Sequence, residues 1–457
     1  MNDSPATAPD TPRPSSWRWG ICVFLLLAST LNYMDRLALN QTASRIKVAF
    51  GIDNEQYSRL ESGFLIAFSI GTLVTGWLVD RISVRWVYPI AVAGWSAAGF
   101  LTGYSSNFWT LFGFRLMLGF FEAGNWPCGV RTTRQIMPPA ERSLGNAFFQ
   151  NGTAIGAIIT PFIVLMCIQW ADPGEPARAA QFAAGGGTAI AATGLPPENV
   201  WQVPFRMIGA IGFIWVALWV LLVPSRALRS VAPDDKPSAT PTPFTAVFSD
   251  RRFWLLVALI LAVNMSWHTF RVWLPLFLRE YHGYSEADMS YFMMSYYFAA
   301  DVGSWVVGFA TVALTARGRS IHGSRLILFG FCALLLLVSM AVPFLARGPW
   351  LNAALLTYGF AALGLFPTYF ALSQDLSARH QGKVTGTLGC INGFFMAGVI
   401  WIQGWSIDWL TDHGISILGM TKHGPILAMA GLPAILAFVL IWTLWRVPAK
   451  SEQVPPH

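Results

Sequence analysis

Phe112–Pro127, FGFRLMLGFFEAGNWP, lies inside an apolar segment running from about Phe108 to about Val130, yet it carries Arg115 and Glu122. Their spacing is about two helical turns, which puts both side chains on one face, roughly 10 Å apart along the axis, too far to neutralise each other. An ionised group inside a bilayer costs at least roughly 2.5–3.5 kcal/mol, so each needs a partner on another helix or a water-filled cavity. A buried polar cavity between helices follows.

The rest of the chain has the composition such a segment requires. It is 54% hydrophobic and only 12% charged, with 33 Phe and 21 Trp, where a soluble protein would carry about 25% charged residues. Apolar windows long enough to cross a bilayer fall near 17–38, 57–79, 86–104, 108–130, 144–168 and 205–223, and again near 253–278, 288–313, 325–345, 351–373, 385–405 and 425–446. The expectation is an all-α membrane protein of twelve transmembrane helices in two sets of six. Residues 1–16 read as a disordered cytoplasmic tail without an apolar core or cleavage site, 17–223 as the N-terminal six-helix bundle and 224–252 as a Pro-rich, basic cytoplasmic linker. Residues 253–446 form the C-terminal six-helix bundle and 447–457 a cytoplasmic tail. The 169–204 loop, rich in Ala, Gly and Pro, falls outside and is expected to be partly disordered.

The net charge of +7 raises the question of a nucleic-acid partner, and its placement answers it. With both termini cytoplasmic, most of the 30 Lys and Arg residues face inside, and Arg36, Arg115 and Arg271 lie within spans. The positive-inside asymmetry accounts for the basic character, and no nucleic-acid partner is needed. The five cysteines sit in apolar spans without metal-ligand spacing and read as core residues, so no metal and no cofactor are expected.

Span 1 ends in Asn32-Tyr33-Met34-Asp35-Arg36, with Leu37, Ala38 and Leu39 continuing the helix beyond the charges. Adjacent residues point about 100° apart, so Asp35 and Arg36 share a cavity only at a wide opening. Arg36 and Arg115 lie at similar depth, and two arginines at one level point to an anion site. Glu61 opens span 2, which closes at Gly76-Trp77-Leu78-Val79-Asp80-Arg81, followed by Arg85. There Gly76 allows close packing and Asp80 can cap or pair with the loop arginines. Span 5 carries Gln150 and Asn151, with hydrogen-bonding capacity for sugar hydroxyls or for a neighbouring helix. Arg142, Gly145, Asn151 and Gly152 correspond at a constant offset to Lys383, Gly386, Asn392 and Gly393, which aligns span 5 with span 11 as a parallel repeat and pairs Asn151 with Asn392. Span 7 places Asn264, His268 and Arg271 on one helix face. His268 reads as a proton relay or a satisfied core histidine, and Arg271 as a site residue or a snorkelling group. Span 8 holds Tyr291, Tyr296 and Tyr297 and its sole inner acid, Asp301. Span 10 adds Tyr369 and Ser373, with Asp375 near its cytoplasmic end.

Several of these strings resemble one known family. The Gly76–Arg85 loop resembles the GxLxDRxGR signature of the major facilitator superfamily, with Ser83 and Val84 departing from it. Asn32–Arg36, the Arg115-to-Glu122 spacing with Glu122-Ala-Gly-Asn-Trp-Pro127, and Pro138-Pro-Ala-Glu-Arg-Ser143 together resemble the anion:cation symporter family within that superfamily, which includes bacterial hexuronate and hexonate transporters. The resemblance implies the major facilitator fold in two pseudo-symmetric bundles and proton-coupled uptake of a small organic anion, the proton being the coupling ion. It also implies that Arg36 and Arg115 hold the carboxylate, that Asp35 and Glu122 carry protons, and that Tyr33, Gln150 and Asn392 contact the substrate. Physical chemistry agrees: arginine grips a carboxylate in bidentate fashion, and a symported proton needs a carboxyl whose protonation follows the drying of its cavity and the approach of a cation. Asn151, His268, Arg271 and Tyr369 are added to the candidate substrate site and Asp301 to the coupling groups. The extra cation in span 7 points to a dicarboxylate such as an aldarate, or to a larger acidic sugar.

The leading expectation is therefore a secondary active symporter for a sugar acid, monomeric, multi-pass, in the inner membrane. A facilitator or exporter of neutral or other organic solutes is the alternative within transport, and would need no two arginines at one depth. A transporter-like sensor would carry a soluble signalling domain. An enzyme would show a nucleophile beside a base or a metal cluster, and no such spacing is present.

Overall fold

Aspartate, asparagine and serine side chains, those of Asp53, Asn107, Asp250, Ser285 and Ser320, start five of the helices and fix where the chain turns. The structure, a computed structural model, describes residues 15–137, 142–171, 200–223, 228, 248–369, 372, 381–420 and 422–445. Asp53 opens α2 (Asn54–Arg81) with a reciprocal capping box to Gln56, and Asn107 opens α4 (Phe108–Glu122) in the same way with Thr110. Ser285 caps α9 (Glu286–Ala316) and Ser320 caps α10 (Ile321–Leu336). The other helices are α1 (Ser15–Phe50), α3 (Val84–Thr102), α5 (Asn125–Ile136), α6 (Arg142–Ala171), α7 (Gln202–Leu222), α8 (Arg251–Leu276), α11 (Pro349–Gly364), α12 (Gln381–Asp412), α13 (Gly424–Met429) and α14 (Leu432–Leu444). Among the described residues the only extended pairing is an isolated bridge between Ile417 and Met420.

Among the described residues, ten helical stretches are long and apolar enough to cross a membrane. Helix α3 and the pair α4/α5 occupy the third and fourth of the twelve expected places. Large apolar side chains such as Leu221, Phe309, Val312 and Trp442 face outward, as a lipid-facing surface requires. Two departures from the expected spans bear on the site. Span 1 continues as one helix to Phe50, carrying Arg45 and Lys47 well past Arg36. Span 4 breaks at Ala123–Gly124, directly after Glu122, and resumes at Asn125. The break is tolerated because neighbouring side chains satisfy it. Asn32 Nδ2 donates to the Glu122 carbonyl (3.3 Å), Tyr88 Oη donates to Asn125 Oδ1 (2.8 Å), and Asn125 Nδ2 donates to Ser29 Oγ (3.1 Å).

Within the first run of helices α1 packs on α6, α2 on α4 and α3 on α7; within the second α9 packs on α11, and α8 on α12 and α14. The two runs meet chiefly where α2 lies along α12 and α6 along α9. Gly119 lets α4 lie against α2, since a Cβ there would collide with the Phe64 carbonyl, and Gly393 and Gly404 do the same for α12 against Ser69, Ser58 and Asn54. The disordered-tail, linker and outside-loop expectations for 1–14, 172–199, most of 224–252 and 447–457 lie outside the described residues, as do Pro138–Glu141, Ser373 and Asp375.

Candidate functional site

Three layers of polar side chains follow one another along the bundle, starting from the side of the chain termini. In the first, Arg36 donates from Nε (3.1 Å) and Nη2 (3.0 Å) to one oxygen of Glu122. The guanidinium lies 5.5 Å from the Tyr33 ring, 5.0 Å from Phe64 and 4.8 Å from Phe68. Glu122 Oε1 has no partner. Asp35 turns away from Arg36 toward α3, where a Cβ on Gly99 would stand 2.6 Å from Asp35 Oδ1, an oxygen also without a partner.

The second layer is centred on Glu61, about two turns into α2. Its Oε1 accepts from Arg115 Nη2 (3.3 Å) and Asn40 Nδ2 (3.0 Å), and its Oε2 accepts from Arg271 Nη2 (3.1 Å). Arg271 also donates from Nη1 to Asn40 Oδ1 (3.3 Å) and from Nε to His268 Nδ1 (3.1 Å). The side chains of Glu61 and Arg115 are 0% exposed and Arg271 1%, against 14% for Arg36. Exposure of the arginines thus falls from the first layer to the second. Arg115 sits over the Phe64 ring at 4.7 Å, sharing that ring with Arg36, while its Nε and Nη1 are buried without a partner. Buried donors of this kind are costly unless satisfied.

The third layer ties the two runs together at the end away from the termini. Arg45 on α1 forms a bidentate pair with Glu286 of α9 (Nε–Oε1 2.6 Å). Lys47 reaches Glu280 (2.8 Å), and Asp408 at the end of α12 accepts from Asn54 Nδ2 (2.5 Å) and from the Glu55 amide (2.5 Å). His423, in the turn before α13, lies 4.0 Å from Glu280, and burial holds its imidazole down at about 4. That end of the bundle is closed.

Of the expected site residues, Tyr33, Asp35, Arg36, Arg115, Glu122, His268 and Arg271 come together in the first two layers. Arg271 does not snorkel; it is buried and spans the two helical runs. Tyr369 is buried, Asn151 and Asn392 are half-buried with Asn392 Oδ1 lacking a partner, and Gln150 is exposed. Asp301 is not drawn into the network: it accepts from Trp305 Nε1 on its own helix (3.2 Å). Asn264 likewise bonds its own helix, at the Ile260 carbonyl. The packing role expected of Gly76 is corrected, because a Cβ there would meet nothing within 4 Å; Gly71, where one would collide with the Phe120 carbonyl, holds the close contact instead. Arg81 lies over Trp77 (4.0 Å), and Arg85 donates to the Trp219 and Val220 carbonyls, capping α7. The side chain of Asp80 lies outside what is described.

Glu61 and the closing ion pairs escaped the sequence reading. The signal for Glu61 was the same as for Arg115, a charge about two turns inside an apolar helix. Its two charged partners, Arg115 and Arg271, lie on helices far away in sequence and in different runs.

The model of the Major Facilitator Superfamily matches residues 25–401. The chain is 21% identical to the hexuronate transporter of Escherichia coli (strain K12), over 96% of this chain and 97% of that one. It is 22% identical to the D-galactonate transporter of Escherichia coli O6:H1, over 82% and 85%. Among solved structures, a bacterial homologue of the human lysosomal transporter Spinster, in an inward-facing and occupied conformation, superposes with a TM-score of 0.73 at 18% identity, covering 97% of this chain and all of that one. With a matched family model across most of its length, the chain belongs to the Major Facilitator Superfamily and is a multi-pass membrane transporter, not an enzyme.

Proposed function

We propose that this transporter carries a sugar acid, a hexuronate, hexonate or related carboxylate, into the cell together with protons. It would work as a monomer in the inner membrane with both termini cytoplasmic. The observation that carries the reading is the pair Arg36 and Arg115 on the shared Phe64 ring, one bound to Glu122 through a single oxygen and the other with two unpartnered donors. A substrate carboxylate placed there takes the free donors of Arg115 and competes with Glu122 for Arg36. Glu122, released from its cation inside a drying cavity, is then the group to hold the proton. Tyr33 borders the approach and is suited to sugar hydroxyls. The names of the hexuronate and D-galactonate relatives support the same substrate class. The closed far end supports alternating access, in which the third layer must part for the site to face the other way.

The test is uptake of labelled glucuronate, galacturonate and galactonate into proteoliposomes with and without an inward proton gradient, alongside Arg115→Ala. Gradient-dependent uptake that falls about 100-fold or more in the variant is the expected result, since removing one partner leaves a buried charge uncompensated at a cost of roughly 3–5 kcal/mol. Uptake indifferent to the gradient, or to Arg115→Ala, would overturn the reading.

A further inference from the structure

The extra cation of α8 would, taken alone, argue for a doubly charged substrate. Its surroundings reverse that argument. Arg271 is buried with Glu61 Oε2 at 3.1 Å, and the other oxygen of the same carboxylate accepts from Arg115 at 3.3 Å. His268 accepts from Arg271 through Nδ1 and adds no positive charge there. The charged groups of the first two layers are then three guanidinium groups, of Arg36, Arg115 and Arg271, and three carboxyls, of Asp35, Glu61 and Glu122. With all six ionised the site is neutral before any substrate enters. One carboxylate entering with one proton leaves it neutral again, whereas two carboxylates would need two protons or would leave a buried negative charge, which is strongly disfavoured. A second substrate carboxylate also finds the facing donors of Arg115 and Arg271 already taken by Glu61.

We propose that Glu61 sets the charge of the substrate: by neutralising the cation that Arg271 brings, it selects sugar acids with one carboxylate over those with two. This rests on the sugar-acid reading above. Glu61 acts through the arginines and is a specificity-determining residue; Glu61→Gln keeps its shape and removes its charge, which leaves one unit of positive charge for a second carboxylate.

The experiment compares uptake of glucuronate, with one carboxylate, and galactarate, with two, by wild type, Glu61→Gln and the double variant Glu61→Gln/Arg271→Gln in the same proteoliposomes. The galactarate-to-glucuronate ratio is expected to rise on the order of tenfold or more in Glu61→Gln, a change that corresponds to a modest difference in binding. It is expected to return toward the wild-type ratio in the double variant, where the charges again balance. An unchanged ratio in an active Glu61→Gln overturns the inference. If Glu61→Gln is inactive, the double variant decides: recovered uptake with the wild-type ratio supports the charge argument, and continued inactivity overturns it. A wild type that carries neither of these acids, nor galacturonate or galactonate, overturns the sugar-acid reading, and this inference with it; a wild type that carries glucuronate while the variant ratio stays fixed overturns only the inference.

Discussion

Glu122 is held by Arg36 through Oε2 alone, and its second oxygen faces the site without a partner. Glutamine at this position keeps an oxygen for Arg36 to bind but can neither take up nor release a proton. Glu122→Gln is therefore expected to lower accumulation driven by a pH gradient by at least about tenfold, while counterflow of labelled against unlabelled substrate stays within about threefold of wild type, since coupling and binding are separable contributions. Loss of both activities in vesicle assays would place Glu122 among the groups that bind substrate. Single residues were the most legible level of the chain. Arg36, Arg115 and Glu122 announce themselves because each is a charge in an apolar helix and must be answered somewhere. The answering group is a different matter: the need for a partner is written locally, but the identity of Glu61 as the shared partner of Arg115 and Arg271 depends on how three helices from two runs approach.

Helices α2 and α12 meet along their length because Gly393 and Gly404 leave no side chain between them, and Asp408 then grips the start of α2 through Asn54 and the Glu55 amide. Ser62 adds a hydrogen bond to the Ala397 carbonyl (2.6 Å), and Trp273 of α8 donates to Gln403 (2.9 Å). If this seam opens in each cycle, tying it should stop transport. Cysteines introduced as Asn54→Cys and Asp408→Cys, with Cys390 replaced by serine because it is half-buried, should be joined by a short reducible bis-thiol reagent. Uptake is expected to fall by at least about tenfold and to recover on reduction, as for a lock placed on one of two exchanging states. Transport that continues through quantitatively cross-linked protein would show that the seam does not open. Spans were readable from hydropathy. The break at Ala123–Gly124 was not, because hydropathy merges Phe108 to Val130 into one span and the interruption is sustained by Asn32, Tyr88 and Ser29 on other helices.

At the scale of the molecule, two helical runs share one buried network and one closed end. Composition and span count were enough to foresee a membrane protein of two helical runs, and the resemblance of the motifs around Arg36, Arg85 and Glu122 to a known family pointed to transport. Which end is closed was not foreseeable, since Arg45 with Glu286 and Lys47 with Glu280 are ordinary helix-end charges until the runs are brought together. The bridge of Glu61 between Arg115 and Arg271 bears on what happens after cargo has left. A carrier whose arginines lost their only counter-charge on release would be trapped until another substrate arrived, because exposed like charges would have to be reburied. In the proposed cycle the protein's own carboxylate would stay with them through the unloaded half. Initial uptake into vesicles empty of substrate is thus expected to match uptake into preloaded vesicles within about threefold, and Glu61→Gln to slow only the former, by about tenfold or more; equal slowing in both would count against it. A side chain that mimics the passenger would make the return journey independent of finding one.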